Sequence, residues 1–549
     1  MFWKKAGRNL AAHIGDLGRA EPALGSALVF LASLLLYLHC LLPSVAWSDG
    51  ASYQKNCALL RLGTSAWSHP LYVVIGKLFT ELPVGRNLAY RVTLVSAFFG
   101  SLALALLYWA SFRLSSAHLD VPRPAASLSA LLAAGWLGTS HTFWLHAVQP
   151  EVYTLHASFL VGIFLVLFES VRRQSKRLFA LAWFLVGVAM TNHVLVLLCV
   201  PAFVLYSYWS RERPGSRGTT CAKNAFVGAG AFLLGSLPYW VLLTARWVSA
   251  PAPNRPAVLK DAVGAGFLTS LFPVGSGALQ RGVGGVLEAY WFAAHLVFIN
   301  LLPAGLVFGV LGLFVLGRKA RPVGRALAAG VGVNALFAMN FFVRDQFAFF
   351  LSSYVLWAFF VGAGALPVMV RRGPPGSFSG SSSEIRWWAV PILVAATILL
   401  PVAFSRIVPG VFGDHDTRMP PFRLKGGADV SSYLFSTWKG DDWSAYRYGS
   451  EALARLEGGA WLVAASPGDY DAWAVLDYFQ VVEGRRPDVT LFPPGHMPRI
   501  EEAPGSVYLL SPPEEALESR YDSIIVRPEG DLYRVIRVVA RTGEGRRGP

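Results

Sequence analysis

The chain has 549 residues, 54% of them hydrophobic and only 15% charged, with a formal net charge of +15. Soluble globular chains carry about 25% charged residues, so the composition excludes a wholly soluble protein and points to long lipid-facing segments. The Lys and Arg residues are scattered between apolar runs and build no long basic face, which argues against nucleic acid as a partner and fits the loops of a membrane protein.

In chain order, residues 1–22 form a short basic segment (Lys4, Lys5, Arg8, Arg19), expected in the cytoplasm. The apolar run from Ala23 to Ala46 exceeds a signal-peptide core and is followed by many more, so it reads as an uncleaved anchor. Apolar windows lie near 23–45, 88–112, 125–144, 152–170, 178–191, 193–209, 225–245, 290–316, 325–342, 347–370 and 387–405. They predict about eleven transmembrane helices. The fifth and sixth are short and abut at Asn192-His193, as in a hairpin with a polar tip. Gly63 to Thr80 is apolar but too short to span, and suits a helix lying in the interface.

With a cytoplasmic N-terminus, the basic clusters Arg113/Arg123, Arg172/Arg173/Lys176/Arg177, Arg211/Arg213/Arg217/Lys223, Arg318/Lys319/Arg321/Arg325 and Arg371/Arg372/Arg386 fall on one side. That is the positive-inside pattern. The other side receives Asp49, His69, Arg91, His141, Glu151, His193, Arg246, Arg344 and Asp345. Gly373 to Ser383 reads as a flexible cytoplasmic spacer.

From about Arg406 charge rises and apolar runs shorten. Helices over Glu451–Leu456 and Asp471–Phe479 are expected to alternate with strands over Ala460–Ala465, Asp488–Phe492, Val507–Leu510 and Ser523–Val526. The expected organisation is therefore an α-helical polytopic membrane domain over 23–405 and a small α/β domain over 406–549, on the same side as Asp49.

The polar residues of that side are the candidate site. Asp49, directly after the first span, suits a general base, which must reach the proton of an accepting hydroxyl. It equally suits a turn, since Asp-Gly is a common turn pair. Glu151, after Pro150, is expected in the first turn of a helix, where the helix dipole alone favours a carboxylate. Tyr153 and His156 continue from it. Asn192-His193 reads either as a turn or as hydrogen-bonding groups for a substrate. Arg91, Arg246 and Arg344, near the ends of spans, suit bidentate phosphate binding or snorkelling to lipid headgroups. The cysteines (Cys40, Cys57, Cys199, Cys221) have no metal-ligand spacing, and no Walker loop, dinucleotide fingerprint, zinc motif or nucleophile elbow occurs. Neither a metal nor a cofactor is expected.

Several segments together resemble one family. They are Ser48-Asp49-Gly50, Leu62-Gly63 with Pro70-Leu71-Tyr72-Val73, Arg91 to Ala97, Thr142-Phe143-Trp144, Glu151-Val152-Tyr153-Thr154-Leu155-His156, Asn192-His193, Pro238-Tyr239 near Arg246, Asn340-Phe341 with Arg344-Asp345, and Tyr478-Phe479-Gln480 with Gly484-Arg485-Arg486-Pro487-Asp488-Val489. In this order they resemble the multi-spanning protein O-mannosyltransferases of the GT-C superfamily. The chain departs from that pattern at two places. The family's Asp-Ser-Gly-Glu run is here Asp49-Gly50-Ala51-Ser52, and its His-Pro-Pro-Gly is matched only by His69-Pro70.

The resemblance implies a GT-C-like fold and a glycosyltransferase that takes mannose or another hexose from a polyprenyl- or dolichyl-phosphate co-substrate. The sugar would pass to a protein Ser/Thr or glycan hydroxyl on the non-cytoplasmic face, with inversion. Asp49 would be the catalytic base, and Arg91 or Arg344 would stabilise the departing phosphate. Glu151, Asn192, His193, Tyr153, His69, Arg246 and Asp345 would hold donor or acceptor. Against it stand a transporter or flippase of a lipid-linked sugar, which would call for a repeat between halves that is not visible, and a non-catalytic membrane scaffold.

Overall fold

The computed structural model describes residues 22–63, 68–85, 87–119, 121–209, 217–263, 282–341, 343, 345–371, 384–412, 424–428, 430–513 and 521–540. The N-terminal basic segment, the spacer after Gly373 and Arg344 lie outside them. Each of the eleven apolar windows contains helix, although the first is helical only to Cys40 and the third breaks at Ser140. Among the described residues, seven helices are long and apolar enough to cross a membrane: Pro22–Cys40, Leu88–His118, Tyr153–Arg172, Asn224–Ser249, Gly284–Lys319, Arg321–Asn340 and Leu351–Met369. Arg123–Thr139 and Lys176–Asn192 have 17 residues each. Val194–Tyr208 and Ala389–Phe404 are shorter apolar helices.

The chain divides into two compact units. The first comprises Met1–Cys40, Leu62–Val74 and Val95–Val408, and the second Leu41–Arg61, Ile75–Leu94 and Pro409–Pro549.

The first unit is a helical bundle. Leu351–Met369 lies at its centre, with 83% of its apolar window buried, whereas Pro22–Cys40 is only 17% buried and presents most of its surface outward. Gly312 and Gly364 allow the helices Gly282–Lys319 and Leu351–Met369 to touch backbone to backbone. A Cβ at Gly312 would overlap the Phe360 carbonyl, and one at Gly364 the Phe308 carbonyl. Such small-residue contacts are how helices associate where burial from water supplies no drive. The helix Gly282–Lys319 breaks its regular path at Leu302 (φ 42°), directly before Pro303, which cannot donate to the helical ladder. Arg113, Arg172 and Arg173, assigned to one side by the charge sorting, converge on the carboxylate of Glu169 at 3.7, 2.7 and 2.9 Å.

The second unit joins a small α/β fold to two earlier segments. Five strands, β1 (Trp461–Val463), β2 (Thr490–Phe492), β3 (Val507–Leu509), β4 (Tyr521–Glu529) and β5 (Leu532–Ala540), form one sheet in the order β2-β1-β3-β5-β4. β1 is parallel to β2 and β3, while β5 is antiparallel to β3 and β4. The period of two sends Leu462, Ala464, Tyr508 and Leu510 to one face, and Val463, Ala465, Val507 and Leu509 to the other. The first face packs with the helices Ser444–Arg455 and Tyr470–Val481, and the same core takes in Val45, Trp47, Ala51 and Ala89.

Three expectations are corrected. Asp49, which as part of Asp-Gly suits a turn, lies instead in the first turn of a helix, Ser48–Leu59. Glu151 is not in a first helical turn. The chain leaves the helix His141–Val148 and re-enters helix only at Tyr153, so Glu151 sits in the connection between them. Strand β5 is not among the expected strands, although at nine residues it is as long as its hairpin partner β4.

Candidate functional site

Asp49 owes its position to the second unit. The indole of Trp47 is 1% exposed, donates to Ser444 Oγ at 2.9 Å and lies 5.2 Å from the Tyr448 ring. Tyr433 Oη donates to the Trp47 carbonyl at 3.2 Å. Gln54, fully buried, accepts from Ala46 N and donates to the carbonyls of Ser44 and Ala89. Between these anchors Ser48 adopts φ 57°, a left-handed conformation that costs energy for a residue with a Cβ. Backbone strain held in place by its surroundings is characteristic of functional positions.

The exposed Asp49 carboxylate accepts from the hydroxyl of Tyr470, Oη to Oδ1 at 2.9 Å. Ser52 Oγ lies 2.9 Å from the same hydroxyl. A phenol has one proton, so with that proton on Asp49 the Ser52 hydroxyl is the donor to Tyr470. Burial, then the neighbouring charge of Asp49, push the Tyr470 hydroxyl well above its ordinary range, which keeps it a donor at neutral pH. Ser52 stands three residues after Asp49, where the family's run has its glutamate. One turn on, Lys55 pairs with Asp477 and sits 5.5 Å from the Trp473 ring. The two helices thus meet through Asp49, Ser52 and Lys55 on one side, each three residues apart, and Tyr470, Trp473 and Asp477 on the other, three and four apart, the spacings of one helical face.

Tyr470 was missed in the sequence, but a local signal for it existed. Ser466-Pro467-Gly468-Asp469 is a capping box, with Ser466 Oγ accepting from Gly468 N and Asp469 accepting from Ser466 N at 3.0 Å. That box caps the short turn Pro467–Asp469, which runs directly into the helix beginning at Tyr470.

A second cluster lies in the first unit and gathers five candidates. His69 Nδ1 is 2.6 Å from the Asn192 carbonyl, and Asn192 Nδ2 donates to the Val152 carbonyl at 3.2 Å. The His193 ring lies 4.8 Å from His69, 5.4 Å from Tyr153 and 6.0 Å from His156. His146 stacks on Phe347 and lies 4.7 Å from Tyr153. The backbone of Glu151 is fixed at both ends by Ser96 Oγ, at 3.0 and 3.1 Å. His69 itself has φ 46°, directly before the Pro70 that opens the helix Pro70–Thr80. This interior keeps unspent polar capacity. Among the described residues, Asn192 Oδ1, His156 Nδ1 and both ring nitrogens of His146 are buried with no hydrogen-bond partner, whereas buried polar groups are usually paired.

Two of the candidate arginines have partners of their own among the described residues. Arg91 donates to the carbonyls of Val84 and Thr80, each at 2.9 Å, and so closes the end of the helix Pro70–Thr80. Arg246 pairs with Asp261 at 2.8 Å across a solvent-exposed contact. Asp345 is half-buried at the start of the short helix Gln346–Phe349.

The terminal motif divides into two roles. Arg486 donates to the carbonyls of Leu453, Leu456 and Glu457 and to Asp488, clamping the end of the helix Ser444–Arg455. Gln480 bonds the carbonyls of Arg486 and Val489. These residues are structural, whereas Arg485 faces a cleft.

Two crystal structures of ArnT from Cupriavidus metallidurans match nearly the whole chain. The form bound to undecaprenyl phosphate has a TM-score of 0.55 at 12% identity, covering 93% of this chain and 97% of that one. The apo form has a TM-score of 0.55 at 15% identity, covering 94% and 98%. The chain has a GT-C-like fold. A family model described as the protein O-mannosyl-transferase TMEM260 N-terminal domain matches residues 68–216. Protein O-mannosyl-transferase TMEM260 of Mus musculus is 31% identical over 198 residues, which are 34% of this chain and 26% of that protein. The match thus spans about a quarter of the curated relative's length. With this GT-C-like fold the chain resembles the protein O-mannosyltransferase family, and the region matched by the family model contains His69, Arg91, Glu151, Tyr153, Asn192 and His193.

Proposed function

We propose that the chain is a membrane glycosyltransferase that moves mannose or another hexose from a polyprenyl- or dolichyl-phosphate to a protein Ser/Thr or glycan hydroxyl, with inversion. The observation that carries this reading is the Asp49 carboxylate, exposed, preceded by a strained residue and gripped at one oxygen by Tyr470. A base needs one oxygen fixed and the other available to the incoming hydroxyl. The acceptor proton passes to Asp49 Oδ2 as the acceptor oxygen bonds to the anomeric carbon. The bond from that carbon to the phosphate oxygen breaks, and its electron pair leaves with the lipid phosphate. Tyr470 and Ser52 are positioning residues in this scheme.

Glu151, Tyr153, Asn192, His193 and His69 hold the sugar or the acceptor, for which the unspent polar atoms of Asn192, His146 and His156 offer hydrogen bonds. The departing phosphate needs a cation. Arg91 is engaged by two carbonyls and Arg246 by Asp261; Arg344, which precedes Asp345 in the sequence, is the arginine we assign to it. A lipid-phosphate donor is further supported by the fold likeness to ArnT, one form of which is bound to undecaprenyl phosphate. The basic clusters support a cytoplasmic N-terminus, with Asp49 and the C-terminal portion on the opposite face.

The test is transfer from a radiolabelled mannosyl polyprenyl phosphate to Ser/Thr peptides by the purified protein in detergent. Asp49→Asn is expected to lose about 10²–10⁴ of the rate, and full activity in that variant would sink the reading.

A further inference from the structure

We propose that the C-terminal portion carries a second ligand site, a cleft that binds a neutral carbohydrate. The cleft has a volume of about 480 Å³ and is lined by Trp443, Tyr446, Tyr478, Glu483, Arg485 and Asn87, all from the second unit. That volume is in the range of small-molecule pockets, about 300–1,000 Å³.

The lining combines three features. The first is aromatic surface: Trp443 and Tyr446 are half-buried and meet edge to face at 5.7 Å, leaving ring surface toward the cleft. Ring faces take the C–H face of a pyranose as they take other polarised edges. The second is a rigid donor fork. The Arg485 guanidinium lies 4.5 Å over Phe479 and 5.4 Å from Tyr446, and donates to Ser450 Oγ at 2.9 Å and Tyr446 Oη at 3.2 Å. It is fixed in place yet keeps 35% of its side-chain surface exposed. The third is charge balance: Glu483 pairs with Arg485 at 2.8 Å. Burial raises the Glu483 carboxyl above its ordinary value, with Arg485 working against that rise.

These features select a ligand class. An anion would meet Glu483, and a cation would meet Arg485, so the paired site disfavours both. A neutral polyhydroxylated ring meets donors from the guanidinium, acceptors from the carboxylate and an apolar wall. The contrast with the adjacent residue is informative. Arg486 spends its guanidinium on backbone carbonyls, while Arg485 spends its on side chains around an opening. Nothing in this assignment depends on Asp49 or on sugar transfer.

The experiment uses the full-length protein in detergent, carrying Asp49→Asn to prevent turnover and with no lipid donor present. Saturation-transfer NMR is recorded with methyl α-D-mannopyranoside, a mannobiose and glucuronate as probes. The neutral sugars are expected to receive saturation on one ring face, reduced about five-fold or more by Trp443→Ala and by the near-isosteric Glu483→Gln. Glucuronate is expected to receive less. Absence of transfer to every probe overturns the proposal. So does transfer that both variants leave unchanged, or displacement of the sugars by a Ser/Thr peptide that itself loses binding in those variants.

Discussion

The hydroxyl of Tyr470 donates to Oδ1 of Asp49 across 2.9 Å, joining residues 421 positions apart in the chain. The contact orients an exposed carboxylate through a group that burial has made a firm proton donor. It also gives the C-terminal portion a direct part in the proposed chemistry.

Tyr470→Phe removes that hydrogen bond together with the one from Ser52, and keeps the ring. Hydrogen bonds to charged groups contribute about 1.5–3 kcal/mol, less where water can substitute. A fall in kcat of about ten-fold, with the KM for the lipid donor near its original value, is therefore expected in steady-state transfer assays. Ser52→Ala, one bond further out, should cost about three-fold or less. A Tyr470→Phe enzyme with unchanged kcat would remove Tyr470 from the mechanism.

Lys55 and Asp477 are 12% and 14% exposed, so each single substitution strands a largely buried charge. Lys55→Met or Asp477→Leu alone should destabilise by about 1–3 kcal/mol, discounted from fully buried pairs for the residual exposure. The double substitution should recover most of the loss, because two apolar side chains replace a pair that was costly to desolvate. Melting curves of the four proteins, read as a double-mutant cycle, decide this.

Arg486→Ala should cost about 2–4 kcal/mol of stability, since three helix-end carbonyls and Asp488 lose their donor together. Arg486→Lys should rescue little, because an ammonium cannot reproduce the planar fork. Thermal unfolding of the two variants separates this geometric role from one of charge alone.

Lys439 is 1% exposed, and burial pulls its pKa down from 10.5 to about 8, with Asp442 at 3.6 Å opposing the fall. Below about pH 8 it is charged in both folded and unfolded chains, and folding carries the full cost of burying the charge. Between about pH 8 and 10.5 the unfolded chain holds a proton that the folded chain has released, so stability rises with pH. The rise attributable to Lys439 is on the order of 1–3 kcal/mol. It is measured as the difference in melting between the protein and Lys439→Met across that window, and a pH-independent difference would refute it.

The apolar windows were legible because a bilayer imposes its demand on consecutive residues, and a run of that length needs no distant partner to be helical. The strands of the C-terminal portion were legible for a related reason, since their alternation is local. Strand β5 escaped because Arg534 and Arg537 interrupt its apolar run, and its place is set by pairing with β3 and β4. Glu151 was taken into a helix because Pro150 commonly opens one. In the structure Ser96, from another helix, holds the Glu151 backbone in the connection between two helices. Arg91 read as a phosphate ligand by position, but its guanidinium spans the carbonyls of Thr80 and Val84.

Chain order and residue type alone were enough to single out Asp49, Asn192 and His193, because polar residues beside long apolar runs are conspicuous. They could not determine what touches them. The helix Ser48–Leu59 has little apolar character of its own and looked like a loop. Its packing against Tyr470, Trp473 and Asp477 comes from residues more than 400 positions later. Sequence determined which segments are helical in a membrane, because that preference is local and additive. Only the tertiary structure decided that Asp49 is gripped by Tyr470, because a hydrogen bond between two remote side chains depends on where the whole fold carries their backbones.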